Sequence, residues 1–467
     1  MPLNETSNTT VQFTVTTTNT ADGTTLYWKT TGNTTNSDIV GGNTGSITVT
    51  NNRAVWNVTI SADDATDGTK TLGIQILTGS LDGTPVVNTA SPIVITDTSQ
   101  TPDYGYLYTW GNNTYGVLGT GGGGVLSPVQ VGSLTTWMNI SAGHNHTISK
   151  KSDYTLWAWG FNGNGQLGNN SITSVGSPIQ IGSATNWNKV SAGYNTSFAI
   201  KDNGTLWAWG DNSYRQSGIG YGGPGYFTYV PTQVGSLTTW AEVVGGYTHT
   251  LAVKNDGTLW VWGTNGNPSN TGALGLNESS PYVITDSPVQ NGSSTNWSKV
   301  SAGTRNSAAI KTDGTLWTWG APGLSLGHNT TSHRSSPTQV GTGTNWSNVS
   351  MSGDRALAIK TDGTLWAWGN NNRGQLGTNN TNNYSSPVQI GTDTTWREVF
   401  CGKNNEFTLA TKTNGTLWSW GLGNAGGGTS PLGLGSTTSR SSPVQVGTGT
   451  TWLRATSTLY AGLAILG

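Results

Sequence analysis

The residues able to move protons, attack a carbonyl or hold a metal are few in this chain. His144, His146, His249, His328 and His333 are its five histidines, and Cys401 is its one cysteine. No phosphate-cradling glycine loop ending in Lys-Ser/Thr, no HExxH and no CxxC occurs. A lone cysteine excludes an intrachain disulfide framework. Cys401 stands where most other copies of its segment carry Ala or Gly, so it reads as a small packed residue. Asp63, Asp64 and Asp67 form one acidic cluster. Calcium takes about six to eight oxygen ligands, so solvated turn residues are the simpler reading. Acidic residues are too sparse to suggest the paired carboxylates of a glycosidase. The expectation is therefore no enzyme, no metal site and no cofactor.

The elements that would position these residues follow from a repeat. LYTWG at 107 recurs as LWAWG at 156 and 206, LWVWG at 259, LWTWG at 316, LWAWG at 365 and LWSWG at 417. Trp137, Trp187, Trp240, Trp297, Trp346, Trp396 and Trp452 form a second sevenfold marker, and Pro128, Pro178, Pro231, Pro288, Pro337, Pro387 and Pro443 a third. From Trp187 one unit reads as strand A (NKVSAG), strand B (SFAIK), a tight Asp202-Asn203-Gly204 turn, strand C (TLWAWG), a loop, and strand D from Pro231. Proline is expected at the first residue of this edge strand. Four antiparallel strands in about 50 residues make a propeller blade. The first copy supplies only C and D and the last only A and B, so the two are expected to share one blade. The fold class is all-β: a closed seven-bladed β-propeller over residues 101–467, with a small N-terminal β-sandwich over residues 1–100.

The pattern V-S-A-G … A-I-K-x-D-G-T-L-W-A-W-G-x-N-x-x-G-Q-L-G … S-P-V-Q-V-G, clearest at 190–218 and 349–391, resembles the regulator of chromosome condensation repeat family. The resemblance covers about residues 102–467. It implies the propeller and a theme of protein binding, with members that act as exchange factors, ubiquitin-ligase modules and a secreted inhibitor. No segment matches an exchange-factor catalytic element, and fold alone does not carry function. His146 and His249 occupy equivalent positions where the family often has histidine, which implies a hydrogen-bonding role.

Residues 1–100 alternate in strand fashion in TVQFTVTTT, TTLYWKTTG, GSITVTNN, AVWNVTIS, TLGIQILTG and SPIVITD. The run from TADGTTLYWKTTG to TLGIQILTG resembles Calx-β-like modules found in structural proteins of tailed phages.

Strand alternation sorts the connections onto two faces. B–C and D–A turns are monotonous, with Asp-Gly-Thr at 256–258, 313–315 and 362–364. A–B turns and C–D loops vary between copies, as binding rims on rigid scaffolds do. The candidate contact residues on that face are Tyr221, Tyr226, Phe227, Tyr229, Tyr282, His146, Tyr194, His249, Arg305, Arg355 and Lys403. The chain enters and leaves the propeller on the monotonous face, so residues 1–100 are expected to hang from it as an anchor.

Charged residues are 9% of the chain and the formal net charge is −1, so no basic field exists to attract nucleic acid. No run approaches the roughly 18 apolar residues of a membrane span, and the first residues lack a secretory signal pattern. A Thr/Asn/Gly-rich surface without export signal points to a virion protein made in the host cytoplasm. The expected function is a phage tail-fibre, baseplate or capsid-decoration protein. Residues 1–100 would bind other virion proteins, and the propeller a host-surface glycan or protein. The alternative is an intracellular or secreted protein-binding propeller, acting as an exchange-factor-like regulator or an enzyme inhibitor.

Overall fold

The computed structural model describes residues 3–4, 9–16, 21, 23–32, 39–40, 44–50, 53–60, 70–78, 85–88, 93–96, 104–265, 272–277, 283–402 and 406–467. The chain divides into two compact units, Met1–Asp103 and Tyr104–Gly467.

The first unit holds two sheets. One orders Leu3–Asn4, Ile93–Thr96, Lys70–Thr78, Thr25–Gly32 and Thr44–Thr48, with Pro85–Asn88 also paired to Lys70–Thr78. The other orders Thr9–Thr16, Arg53–Ile60 and Ile39–Val40. Alternation in the sequence becomes burial of Leu26 with Trp28 and of Ile74 with Ile76, one face of each strand. Asp63, Asp64 and Asp67 lie outside the described residues.

The second unit is seven four-stranded antiparallel sheets. Blade 1 runs A Trp137–Ala142, B His146–Lys151, C Leu156–Gly160 and D Val175–Gln180. Blades 2 to 6 repeat this from Trp187, Trp240, Trp297, Trp346 and Trp396. Blade 7 takes A and B from Trp452–Ser457 and Ala461–Leu466, and C and D from Tyr106–Gly111 and Val125–Gln130. Tyr106 pairs with Leu466 through to Gly111 with Ala461, as the split repeat required. Blade 7 in turn bonds to blade 1: Gly105 and Trp137 exchange backbone hydrogen bonds of 2.8 and 3.2 Å, and Leu459 N donates to His144 O at 2.9 Å. The ring therefore has no open sheet edge between its first and last blades.

The repeat motif is a set of hydrogen-bonding instructions. The second Trp of each LWxWG is completely buried. Its indole N–H crosses to the preceding blade's C–D loop: Trp159 to Val117 O, Trp209 to Gln166 O, Trp262 to Gln216 O, and likewise around the ring to Trp110 and Pro431 O. The first Trp is half-buried, and Trp260 donates to Thr258 Oγ1 at 2.8 Å. Thr258 in turn donates to Asp256 at 2.6 Å, and Lys254 sits 3.5 Å over the Trp260 ring. Lys, Asp, Thr and Trp of K-x-D-G-T-L-W thus form one local network. Its glycine has φ +74° at Gly257, where a Cβ would overlap the Thr295 carbonyl.

One detail of the sequence reading is corrected. The proline is not the first residue of strand D. In blade 1 the pairing jumps from Ala158–Ile179 to Gly160–Val175, placing Pro178 inside a bulge of the outer strand. A bulge needs no ladder N–H there, so proline fits.

Candidate interaction face

Strand A is innermost, and the serine of V-S-A-G ties neighbouring blades at the axis. Ser141 Oγ accepts from Ala192 N at 2.9 Å, Ser301 Oγ from Met351 N at 2.9 Å and Ser350 Oγ from Cys401 N at 2.8 Å. Cys401 is buried there, and burial pushes its thiol pKa up. Toward the opposite mouth Glu242 stands between Lys189 and Lys299. Burial raises its pKa, and the two lysines oppose that rise.

The A–B turns and C–D loops share a face, as expected: Phe161 N bonds to Asn145 O, Asp211 N to Asn195 O and Asn370 N to Asp354 O. A buried asparagine, Asn162, Asn212, Asn265 or Asn371, shapes the long loops of blades 1, 2, 3 and 5. Asn162 Oδ1 accepts from Leu167 N, while its amide donates to Ser171 O and Thr173 O.

On this face the A–B turns are stitched by Leu459 N to His144 O, His144 N to Tyr194 O and Tyr194 N to Gly246 O. Their side chains form a row of rings. His144 stacks on Tyr194 at 4.0 Å, Tyr194 meets Tyr247 edge-on at 4.6 Å, and Tyr247 meets Tyr214 of the blade 2 C–D loop at 5.5 Å. Tyr460 is 40% exposed and lies near enough to raise the Tyr194 pKa, after burial. Farther along the blade 2 loop, Tyr221 and Tyr226 make an edge-to-face pair at 5.2 Å. Blades 4 to 6 differ: Arg305 and Asp354 are exposed, and Arg373 pairs with Glu406 at 3.5 Å. The face is aromatic on one side and charged on the other.

The candidates from sequence separate accordingly. Tyr221, Tyr226 and Tyr229 are each at least 40% exposed, Phe227 and Tyr194 are half-buried, and Arg305 is exposed. Tyr282 and Lys403 lie outside the described residues. His146, His249 and Arg355 are corrected: all three are wholly buried at the start of strand B. They bridge blades there, His146 to Ser197 Oγ and His249 to Ser307 Oγ at 2.9 Å, and Arg355 to Phe407 O at 2.6 Å. The side chain after an A–B turn points between sheets, because the B strand has neighbours on both faces. His144, Tyr214, Tyr247 and Tyr460 were missed. Aligning the turns would have found the first and third, which share a position with Tyr194.

Gly323-Leu324-Ser325-Leu326-Gly327 has the G-x-S-x-G spacing of a nucleophile elbow, overlooked in the motif reading. Ser325 is 1% exposed in a short turn, and its Oγ accepts from Asn306 Nδ2. No strand-to-helix elbow presents it. His328 bonds instead to Thr318 Oγ1 at 2.9 Å. Among the described residues no group of three or more His, Cys, Asp or Glu is placed to hold a metal, and no helix is long and apolar enough to cross a membrane.

Comparison with known proteins adds to this geometry. The regulator of chromosome condensation (RCC1) repeat matches residues 104–149, 155–200, 203–253 and 362–409, and a second form of it matches 187–216, 240–267 and 346–375. Human WBSCR16 superposes with a TM-score of 0.67 at 20% identity, covering 78% of this chain and 98% of that one. Prp20p from Saccharomyces cerevisiae, whose structure is reported with its binding properties to Gsp1p and histones, gives 0.65 at 18% identity over 77% and 91%. A 67-residue stretch is 42% identical to the X-linked retinitis pigmentosa GTPase regulator homolog of Caenorhabditis elegans, covering 14% of this chain. The chain thus spans 5% of the length of that curated relative. The chain is a propeller whose matched stretches are similar to regulator of chromosome condensation (RCC1) repeats.

Proposed function

We propose that this chain is a non-enzymatic, protein-binding propeller that meets its partner with the face of A–B turns and C–D loops. The observation that carries the reading is the continuous row His144, Tyr194, Tyr247 and Tyr214, with Tyr221 and Tyr226 beyond it, on a scaffold whose other face is built of closely similar turns. Clustered, rigid tyrosines supply contact area at low entropic cost and are typical interface anchors. The binding of Gsp1p and histones described for Prp20p supports the same theme.

The virion-surface reading, with residues 1–100 as anchor, rests on composition and the N-terminal sandwich; the comparisons favour the protein-binding alternative. Affinity capture with the intact chain tests the proposal. Partners retained by wild type and lost by the pair Tyr194→Ala and Tyr221→Ala support it. Partners that ignore this pair but are lost on changing Asp313 and Asp362 of the opposite face refute it. Binding to immobilised host glycans with no protein captured would return the adhesin reading to first place.

A further inference from the structure

The aromatic half of the face carries an uncompensated negative charge. The A–B turns 457–461, 143–146, 193–196 and 246–249 contain no Asp, Glu, Lys or Arg, and neither do the C–D loops 112–124 and 161–174. The blade 2 loop brings two charges, Asp211 and Arg215. Arg215 is paired with Asp286 of blade 3. Asp211 is 8% exposed, and its carboxylate accepts one hydrogen bond, from Ser213 N at 2.8 Å. No cation faces it. It lies instead within electrostatic reach of the Tyr247 phenol, which also bonds to Tyr214.

We propose that the Tyr194–Tyr247–Tyr214 row, with Asp211 beside it, is the docking point for an arginine side chain of the protein partner. This rests on the reading of the face as the partner-binding one. Tyrosine faces attract cations through the ring quadrupole, the more so where water is excluded. A nearby carboxylate without a counter-ion adds direct attraction, and a planar guanidinium stacks on a ring and pairs with a carboxylate where an ammonium cannot do both. A neutral sugar would use the rings but gain nothing from Asp211, and an acidic segment would be repelled. The partner element is therefore basic at this point, although residues 104–467 as a whole, with 18 Lys and Arg against 13 Asp and Glu, are net positive.

The test is fluorescence anisotropy with the full chain and a labelled peptide bearing two arginines between glycines. The same peptide with citrulline, isosteric but uncharged, is the control. The arginine peptide is expected to bind about tenfold more tightly than the citrulline peptide at low salt. Asp211→Asn keeps the acceptor for Ser213 N and is expected to remove most of that preference. Tyr214→Leu, at an exposed position of the same loop, is a second variant that leaves the buried carboxylate in place. Equal binding of both peptides, an unchanged preference in Asp211→Asn and Tyr214→Leu, or binding of a neutral oligosaccharide alone overturns the proposal. A captured partner that contacts this face while no arginine peptide binds leaves the function standing and sinks the arginine inference.

Discussion

Acid should weaken this propeller through His146, and the effect can be worked from its surroundings. The ring is wholly buried, with Nε2 2.9 Å from Ser197 Oγ. Ser197 spends its own proton on Gln166 O at 2.7 Å, so the histidine must donate through Nε2. Nδ1 is then the bare nitrogen, and it has no hydrogen-bond partner. Protonating it would bury an unpaired charge, and burial, with His144 nearby, lowers its pKa from 6.5 to about 3. The unfolded chain takes up a proton near its ordinary value, while the folded chain resists until far lower pH. The folded pKa is depressed, so this contribution is whole above pH 6.5 and is lost as pH falls toward 3. One proton bound only by the unfolded state costs about 2 kcal/mol of stability between about pH 7 and about pH 5. Blade 4 places Asn306 at the equivalent position, making His146→Asn the natural control. Urea unfolding of wild type and His146→Asn at the two pH values should give a loss about 2 kcal/mol larger for wild type. Equal losses would refute the reasoning, because the carboxylates common to both proteins would then explain all of the acid sensitivity.

Three further outcomes follow from particular contacts. Trp262→Phe breaks the inter-blade bond to Gln216 O in a fully buried site and should cost about 1–2 kcal/mol plus a small cavity term in urea melts. Trp260→Phe, half-buried and bonded within its own turn, should cost clearly less, and the reverse order would contradict the staple. Gly314→Ala, at φ +75° with Thr344 O in the way of a Cβ, should destabilise by more than about 1 kcal/mol, measured by the same melts. The Tyr247 phenol, raised to about 12 chiefly by burial and by Tyr214, should ionise late in an ultraviolet titration. Its contribution to stability should be lost as pH rises from 10 through 12, and Tyr214→Phe should bring the ionisation earlier.

The sequence by itself determined the ring. Six LWxWG strands with their LYTWG variant, seven leading tryptophans and a repeat cut between the chain ends leave one economical arrangement, because a blade cannot bury its faces without neighbours. It also determined which connections share a face, since antiparallel alternation admits no other sorting. What it could not decide was which loop side chains are free. His146 and Tyr194 stand two positions apart in equivalent turns, yet one is sealed between sheets and the other half-open in a ring row. That difference depends on what the next blade presents, Ser197 in the first case and Tyr247 in the second. The unpaired state of Asp211 was equally illegible, because Arg215, four residues away, is drawn to Asp286 in the neighbouring blade. Periodicity fixes the scaffold through local hydrogen bonds, whereas the character of the face comes from contacts between turns some 50 residues apart, such as His144 with Tyr194, which only the assembled blades bring together.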